Sequence, residues 1–547
     1  MKKLFTLFTA LLVVIVAGAD TININTKTTD ALRVALNSAN DGDVIVMAAG
    51  TYVESNNGYL EFKKNLTIMA QPGKSVTVQP RVTARISGGK KVQIIGVTFD
   101  AQDLQTSATW YEHIIYANDA SDGNILVLEN CEFKNFHYHH YTYNTETSSY
   151  DDDGLYGNSA IYCAADKKLD SCIINNCYFH DITGGCLSFK NTGMIGLVVS
   201  NSTFANIDKT NNYYSGTIAA STTSGSVNIN FSTFYECKTI DASHNVIELL
   251  TSSSSIFNSI FMEAEGFNCC ASNIPTGGNI KNCLTYNFTN WQGAGAHYGH
   301  VVNGDDYSPT LTNCATGDPL FVSAASANFT LGSTSPALNA ATDGSNLGDP
   351  RWWPTYKRTG VANGTWGTIC LPTAVSSLPS DVKFYKVNGK RMSGETPIAI
   401  VLDEVARLEA GKPYIFHVIA DMSDFTLTCA SSATTASAAS VNGLIGTDVM
   451  QSVANGKYII YNGEVCKVNG ATVTCGAHRA YFDLATMEET TVPAGSPGIR
   501  EIPMAPEITT SMADVESEEK AIKFFQNGQL YILRDGVTYD AVGRIIR

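Results

Sequence analysis

One motif recurs down the first half of this chain: a short apolar strand, an Asn, two residues, then a Phe. It reads VLENCEF at 127–133, IINNCYF at 173–179, VVSNSTF at 198–204 and IFNSIF at 256–261. Gly96-Val97-Thr98-Phe99 and Phe231-Ser232-Thr233-Phe234 are variants without the Asn. The anchors Phe99, Phe133, Phe179, Phe204, Phe234 and Phe261 are spaced by 34, 46, 25, 30 and 27 residues. A unit of this size with loop insertions has the length of one coil of a parallel β-helix.

A second strand precedes each anchor. HIIYAND (113–119), SAIYCAA (159–165), GCLSFKN (185–191), GTIAAST (216–222) and NVIELLT (245–251) align without gaps. One column of that alignment holds Ile115, Ile161, Leu187, Ile218 and Ile247, and two residues on lie Ala117, Cys163, Phe189, Ala220 and Leu249. Strand side chains alternate between faces, so both columns point inward and stack into one apolar core. Cys131 and Cys177 fall at the same point of the motif and are read as stacked, unpaired thiols, since free Cys packs as a small hydrophobe. Cys269 and Cys270 have no evident partner. Asn130, Asn176, Asn201 and Asn258 suit left-handed corners whose amides ladder along the coil.

Residues 29–53 contain Thr29-Asp30-Ala31-Leu32, Asp41-Gly42-Asp43-Val44-Ile45 and Ala49-Gly50-Thr51-Tyr52. Residues 317–351 contain Asp318-Pro319-Leu320-Phe321, Ser335-Pro336-Ala337 and Gly348-Asp349-Pro350-Arg351. These resemble the entry and the closing turns of pectin-lyase-like proteins of Bacteroidota. The resemblance covers about 25–352 and implies an N-terminal capping helix, then a right-handed parallel β-helix of the kind that handles polysaccharides. The fold hosts lyases, hydrolases, esterases and adhesins, so it does not choose among activities.

The rest of the chain fits an all-β protein: a β-helix, then a smaller β-sandwich-type domain and a short C-terminal β tail. Residues 366–490 resemble a β-sandwich-type accessory module. Residues 491–516, rich in Pro, Ala, Ser, Thr and Glu, read as a linker. Residues 517–547 resemble a type IX sorting tail. Residues 1–19 read as a signal peptide: Lys2 and Lys3, an apolar run from Leu4 to Val16, then Ala17-Gly18-Ala19. A secreted or outer-surface monomer without a transmembrane segment is the expectation.

The net charge of −15 argues against nucleic acid or an anionic membrane as a partner and requires a local basic patch for any acidic glycan. The outward strand columns place Tyr116, Tyr162, Ser188, Ala219 and Glu248 side by side, with Asn118, Ala164, Lys190, Ser221 and Leu250 in the next column. Tyr116 and Tyr162 offer flat faces for sugar stacking. Lys190 is the candidate base for removing the proton α to a uronate carboxylate, and Glu248 is its catalytic partner. The long interval after Phe133 is read as a loop carrying His137, His139, His140 and then Asp151, Asp152 and Asp153. His139 and His140 would contact sugar from the groove wall, or bind a transition metal. The three Asp are the candidate Ca²⁺ ligands. Residues 86–350 contain no Arg, so only Arg81 and Arg85 can neutralise a uronate, and no Asp trio of the hydrolase kind lies on the strands. Two readings follow: a polysaccharide lyase acting on a uronate-containing glycan, or a non-catalytic adhesin or glycan-binding scaffold.

Overall fold

The structure is a computed structural model. It describes residues 19–505 except 56–58, 103, 105–112, 122, 145–148, 157–158, 190–193, 208–216, 221–224, 238–245, 249–253, 264–278, 289–309, 431–435, 449–450, 470–472 and 494–498, together with the strands between 522 and 540. Within 138–156 and 522–540 the backbone alone is described.

The repeat winds into a right-handed parallel β-helix with three sheets, of eleven, ten and seven strands. Seven turns carry a strand in each sheet. Ile115–Ala117, Ile125–Glu129 and Glu132–Phe136 make up one such turn. Neighbouring turns pair in strict register: Phe133 lies opposite Phe99 and Phe179. The anchor rings therefore stack through the core, with centroids 4.6–5.0 Å apart from Phe99 to Phe261. The aligned column Ile115, Ile161, Leu187, Ile218 and Ile247 is fully buried beside them. The helix Ala31–Ser38 buries Leu32, Ala35 and Leu36 in this same core and closes its N-terminal end.

Each turn bends through two left-handed corners. The first holds Asn130, Asn176, Asn201 and Asn258, with φ of 52, 55, 51 and 53°. The amide of Asn176 donates to Asn130 Oδ1 at 2.6 Å, whereas Asn201 and Asn258 bond to Asn175 and Asn230 on the strand of the preceding turn. The second corner lies five residues on, at Asn135, Asp181, Asn206, Glu236, Glu263 and Asn287, all at positive φ. It has its own ladder, with Asn135 donating to Asp100, Asn206 to Asp181 and Asn287 to Glu263.

The last coil strands are Thr310–Thr312 and Ala315–Thr316. The chain then doubles back over the ten-stranded sheet. Gly348 N–H donates to Asn258 O, Asp349 N–H to Thr233 Oγ1, and Thr203 Oγ1 to Asp349 Oδ2, while Arg351 Nη2 reaches Asn176 O. This strap thus crosses four turns within four residues, Gly348 to Arg351. Beyond it lie antiparallel sheets. Trp366–Cys370, Pro413–Val418, Val382–Ser393, Thr396–Glu404 and Ile499–Pro503 form one. It packs on a second five-stranded sheet through Ile400, Leu402, Ile415, Leu444, Phe482 and Ile502. Ile499–Pro503 falls in the segment read as a linker. It is a strand because Ile502 is apolar and fully buried against Ile400, a pattern that the surrounding Pro, Ala and Glu hide in the composition. Phe231, Ile260 and Leu284 of the coil share a continuous core with Phe384, Phe416 and Leu427, so this region is docked along the coil's flank. The strands Ile522–Gln526, Gln529–Arg534 and Val537–Asp540 form a three-stranded antiparallel sheet. Among the described residues no helix is long and apolar enough to cross a membrane. Residues 1–18, most of the segment read as a signal, lie outside those described.

Candidate functional site

The seven-stranded sheet carries the outward columns read from the sequence, and at its early turns Glu61, Arg85, Tyr116 and Tyr162 are only partly buried. Its strands run Leu60–Phe62, Ala84–Ile86, Ile115–Ala117, Ile161–Cys163, Leu187–Phe189, Ile218–Ala220 and Ile247–Glu248. In each of the first five, apolar flanks point inward and the central residue points out, because the pleat alternates. Register pairs the central residues in one line: Glu61, Arg85, Tyr116, Tyr162, Ser188, Ala219 and, at the end of its strand, Glu248. The five-strand alignment made from sequence is therefore the register of the structure. What that alignment lacked was the rung before it. Ala84-Arg85-Ile86 is too short and too mixed to stand out, yet it sets a cation directly beside Tyr116.

These early rungs form a compact group. The Arg85 guanidinium lies 3.0 Å above the centre of the Tyr59 ring, a cation–π contact. Its Nε is buried and makes no hydrogen bond. Tyr116 and Tyr162 sit 5.5 Å apart, tilted, and the His113 ring stacks on Tyr162 at 4.3 Å. Buried His113 is held by Nδ1–H donating to Ser159 O at 2.7 Å, which fixes its tautomer. Lys167 pairs with Asp166 at 3.1 Å beside the Tyr116 hydroxyl. Burial raises the pKa of that hydroxyl; Lys167 and Arg85 pull it back, while Asp166 adds to the rise. The group presents aromatic faces, a phenol and two cations on half-buried rungs, the equipment for holding a sugar and its carboxylate.

Further along the line the face is covered. Ser188 and Ala219 are buried although they point away from the core, and Ser188 Oγ has no hydrogen-bond partner. Lys190 lies outside the described residues. Glu248 is placed by its backbone alone, opposite Ala219. His139, His140, Asp151, Asp152 and Asp153 lie in an antiparallel ribbon, Tyr138–Asn144 against Ser149–Tyr156, where a loop was expected. Tyr and Thr, residues that favour strands, recur there among the histidines and aspartates that disguise it. Asp151 pairs with Thr142 and Asp152 with Tyr141. Among the described residues no three His, Cys, Asp or Glu side chains converge as a cation site.

A second polar group, unread from sequence, lies on the ten-stranded sheet. His180 bonds Asp181 through Nδ1 at 2.7 Å and Glu132 through Nε2 at 3.0 Å, with Tyr178 stacked on its ring at 4.3 Å. Burial pushes the Glu132 carboxyl up, but the bonds from His180 and Thr98 and the charge of Lys134 outweigh it and hold it at about 2. The bonds from Thr98 and His180 to Glu132 link strands of three successive turns, which makes the set a cross-turn brace.

No family model matches this chain, and no curated protein sequence does. Among solved structures it is similar to a PL6-family alginate lyase, at 16% identity and a TM-score of 0.33, over 48% of this chain and 40% of that one. Pectate lyase Pel9A shows 14% identity and a TM-score of 0.26, over 61% of this chain and 97% of its own. The Pantoea stewartii glycan biofilm-modifying enzyme WceF, with its tailspike-like parallel β-helix, shows 9% identity and a TM-score of 0.22, over 88% and 72%. This chain thus spans about two-fifths of the alginate lyase's length. Likenesses this distant concern the coil and not its chemistry.

Proposed function

We propose that this chain is a carbohydrate-active protein that binds an extended, carboxylate-bearing polysaccharide along the outer face of the seven-stranded sheet. The observation behind this is the line Arg85, Tyr116, Tyr162 on consecutive turns, with Tyr59 and His113 fixing the ring and guanidinium positions. Turns rise by ~4.8 Å, close to the length of one sugar unit, so each rung meets a successive sugar. On a chain of net charge −15, a cation set on an aromatic platform is a selected exception. Arg85 takes the carboxylate, and the tyrosines stack on pyranose faces and donate to hydroxyls. The polymer is met outside the cytoplasm, a reading supported by the composition of residues 1–19.

The reaction this face suits is β-elimination. Lys190 follows the strand Leu187–Phe189 in sequence and falls in the next outward column of the sequence alignment; it would take the proton α to the uronate carboxylate. Glu248, two turns further, would support it. The 138–156 ribbon arises between the turns of Tyr116 and Tyr162 and would wall the groove, with His139 and His140 toward sugar and Asp151, Asp152 and Asp153 toward Ca²⁺. The rival reading, a binding scaffold without chemistry, is favoured by one observation: Ser188 and Ala219, flanking the strand end of Lys190, are covered. Pectate, alginate, heparinoids and chondroitin, each incubated with the protein, separate these outcomes. Ultraviolet absorbance of an unsaturated uronate product, lost in Lys190→Ala, is the lyase result. Binding without product on any glycan gives the scaffold, and absence of binding to all four overturns the proposal.

A further inference from the structure

From the turn of Phe133 onward, two residues before the anchor position, the coil carries a ladder of small polar side chains on successive turns: Cys131, Cys177, Ser202, Ser232, Ser259, Cys283 and Cys314. All seven make one local bond, thiol or hydroxyl to the carbonyl two residues back, except that the bond lengthens with sulfur: 2.7 Å for Ser202 and Ser259, 3.3 Å for Cys131 and Cys177, and 3.5 and 3.7 Å for Cys283 and Cys314. Thiols occupy both ends of the ladder and hydroxyls its middle. The two thiol pairs are equivalent by register and unlike by position. Cys131 and Cys177 are sealed in the core, and burial drives the Cys177 thiol far up from its ordinary value. Cys283 is equally buried, but Cys314 sits half-exposed on the last turn of the coil.

Cys283 and Cys314 lie side by side on adjacent parallel strands, one residue before the paired Leu284 and Ala315, and Ala315 N–H donates to Cys283 O at 2.9 Å. Parallel neighbours stand ~4.8 Å apart, inside the Cα separation of roughly 4.4–6.8 Å that a disulfide spans. We propose that Cys283 and Cys314 form a thiol pair that closes to a disulfide across the last two turns of the coil, with a low-molecular-weight disulfide as the oxidant. Cys283 is sealed while Cys314 is half-exposed, and contact with Cys283 draws the Cys314 thiol down from its ordinary value, so Cys314 meets the oxidant and attacks first as the thiolate. Its sulfur bonds to one sulfur of the oxidant and expels the other as a thiolate. Cys283 then gives up its proton and attacks Cys314 Sγ in the mixed disulfide. The protein disulfide forms, a second small thiolate leaves, and one external disulfide has been reduced to two thiols. The bond closes the chain between 283 and 314 into a loop at the end of the coil. There the strands Thr310–Thr312 and Ala315–Thr316 have a neighbouring strand on one side only, so the cross-link ties down the turn most prone to fray.

Full-length protein, reduced and then exposed to oxidised glutathione, tests this by acid quenching, alkylation and peptide mass spectrometry. The expected product is a peptide linked through Cys283 and Cys314, with Cys131 and Cys177 alkylated only after denaturation and with a raised melting temperature that reductant reverses. Cys283→Ser is expected to fold, since Ser fills the middle rungs of the same ladder, and to hold glutathione on Cys314 as a lasting mixed disulfide. Stable glutathione on Cys314 of the unaltered protein, an unmodified Cys314, or linkage of Cys314 to Cys269 or Cys270 would each overturn the proposal.

Discussion

At the scale of single residues, the corners of the coil decide what a substitution does. Asn176 combines three roles: a left-handed backbone at φ 55°, a side-chain bond to Asn130, and an acceptor for Arg351. Asn176→Ala is expected to lower stability by about 2–3 kcal/mol, measured by denaturant unfolding, since Ala resists that backbone and leaves buried polar atoms unpaired. Phe231 occupies the same corner at φ 47°, where an Asn would be at ease. Its ring is kept there because it packs edge-on to Trp353 at 5.6 Å and lies near His478, sealing the coil to the C-terminal region. Phe231→Asn should therefore relax the corner yet loosen that region, so that limited proteolysis cuts beyond residue 353 while the coil stays intact.

At the scale of elements, the strap at 348–353 is held by a buried ion pair and a glycine. Burial raises the Asp349 carboxyl, and Arg351 and the Thr203 hydroxyl oppose the rise. Arg351→Met leaves that carboxylate without its cation, and the expected loss is about 3–5 kcal/mol in equilibrium unfolding. Gly348 has φ +76°, and a Cβ there would stand 2.7 Å from Thr233 Oγ1 and 2.8 Å from Ile260 Cδ1. Gly348→Ala must shift the strap or the coil, and a loss of about 2–4 kcal/mol should appear as a lowered melting temperature.

For the molecule as a whole, the seam between coil and C-terminal region sets the pH response. Burial and the charge of Asp448 push Glu129 up to about 8 from 4.5, against Lys91. Asp448 is itself raised by burial and bonded by Ala438 N–H and the Asn175 amide. Between pH 4.5 and 8 the folded state keeps a proton that the unfolded state has released, so stability falls as pH rises through this window. His478 behaves oppositely. Fully buried among Phe231, Trp353 and Tyr356, with neither ring nitrogen hydrogen-bonded, it drops to about 4 from 6.5 through burial, against the pull of Asp343. Below pH 6.5 the unfolded state takes the proton first, and stability falls with pH. The two slopes cancel between 4.5 and 6.5, where these groups leave stability flat. Denaturant unfolding across pH should show Glu129→Gln flattening the alkaline limb and His478→Phe the acid limb. Unaltered limbs in both variants would place the pH dependence elsewhere. On the outer face, Arg85→Ala should weaken polyanion binding most at low salt, because a half-buried cation at the solvent boundary still acts through a screened field.

The coil was legible in the sequence because its physics is local and repeated. A period near 25 residues, an inward Ile column and an Asn at the bend restate one turn many times, and stacking like on like then fixes register without further information. Tyr116 and Tyr162 could be aligned for the same reason. The second corner ladder escaped notice because Asn, Asp and Glu share it, so no single letter repeats. Arg85 was read as an available cation, but its place in line with Tyr116 was not, because a three-residue strand carries too little pattern to align alone. The strap, the ribbon at 138–156, the strand Ile499–Pro503 and the seam of Glu129 with Asp448 bring together residues up to hundreds of positions apart, once each. Nothing periodic announces such contacts. They exist because the docked sheets and the coil bury one another's apolar faces, and only the assembled tertiary structure decides which polar groups are sealed in with them.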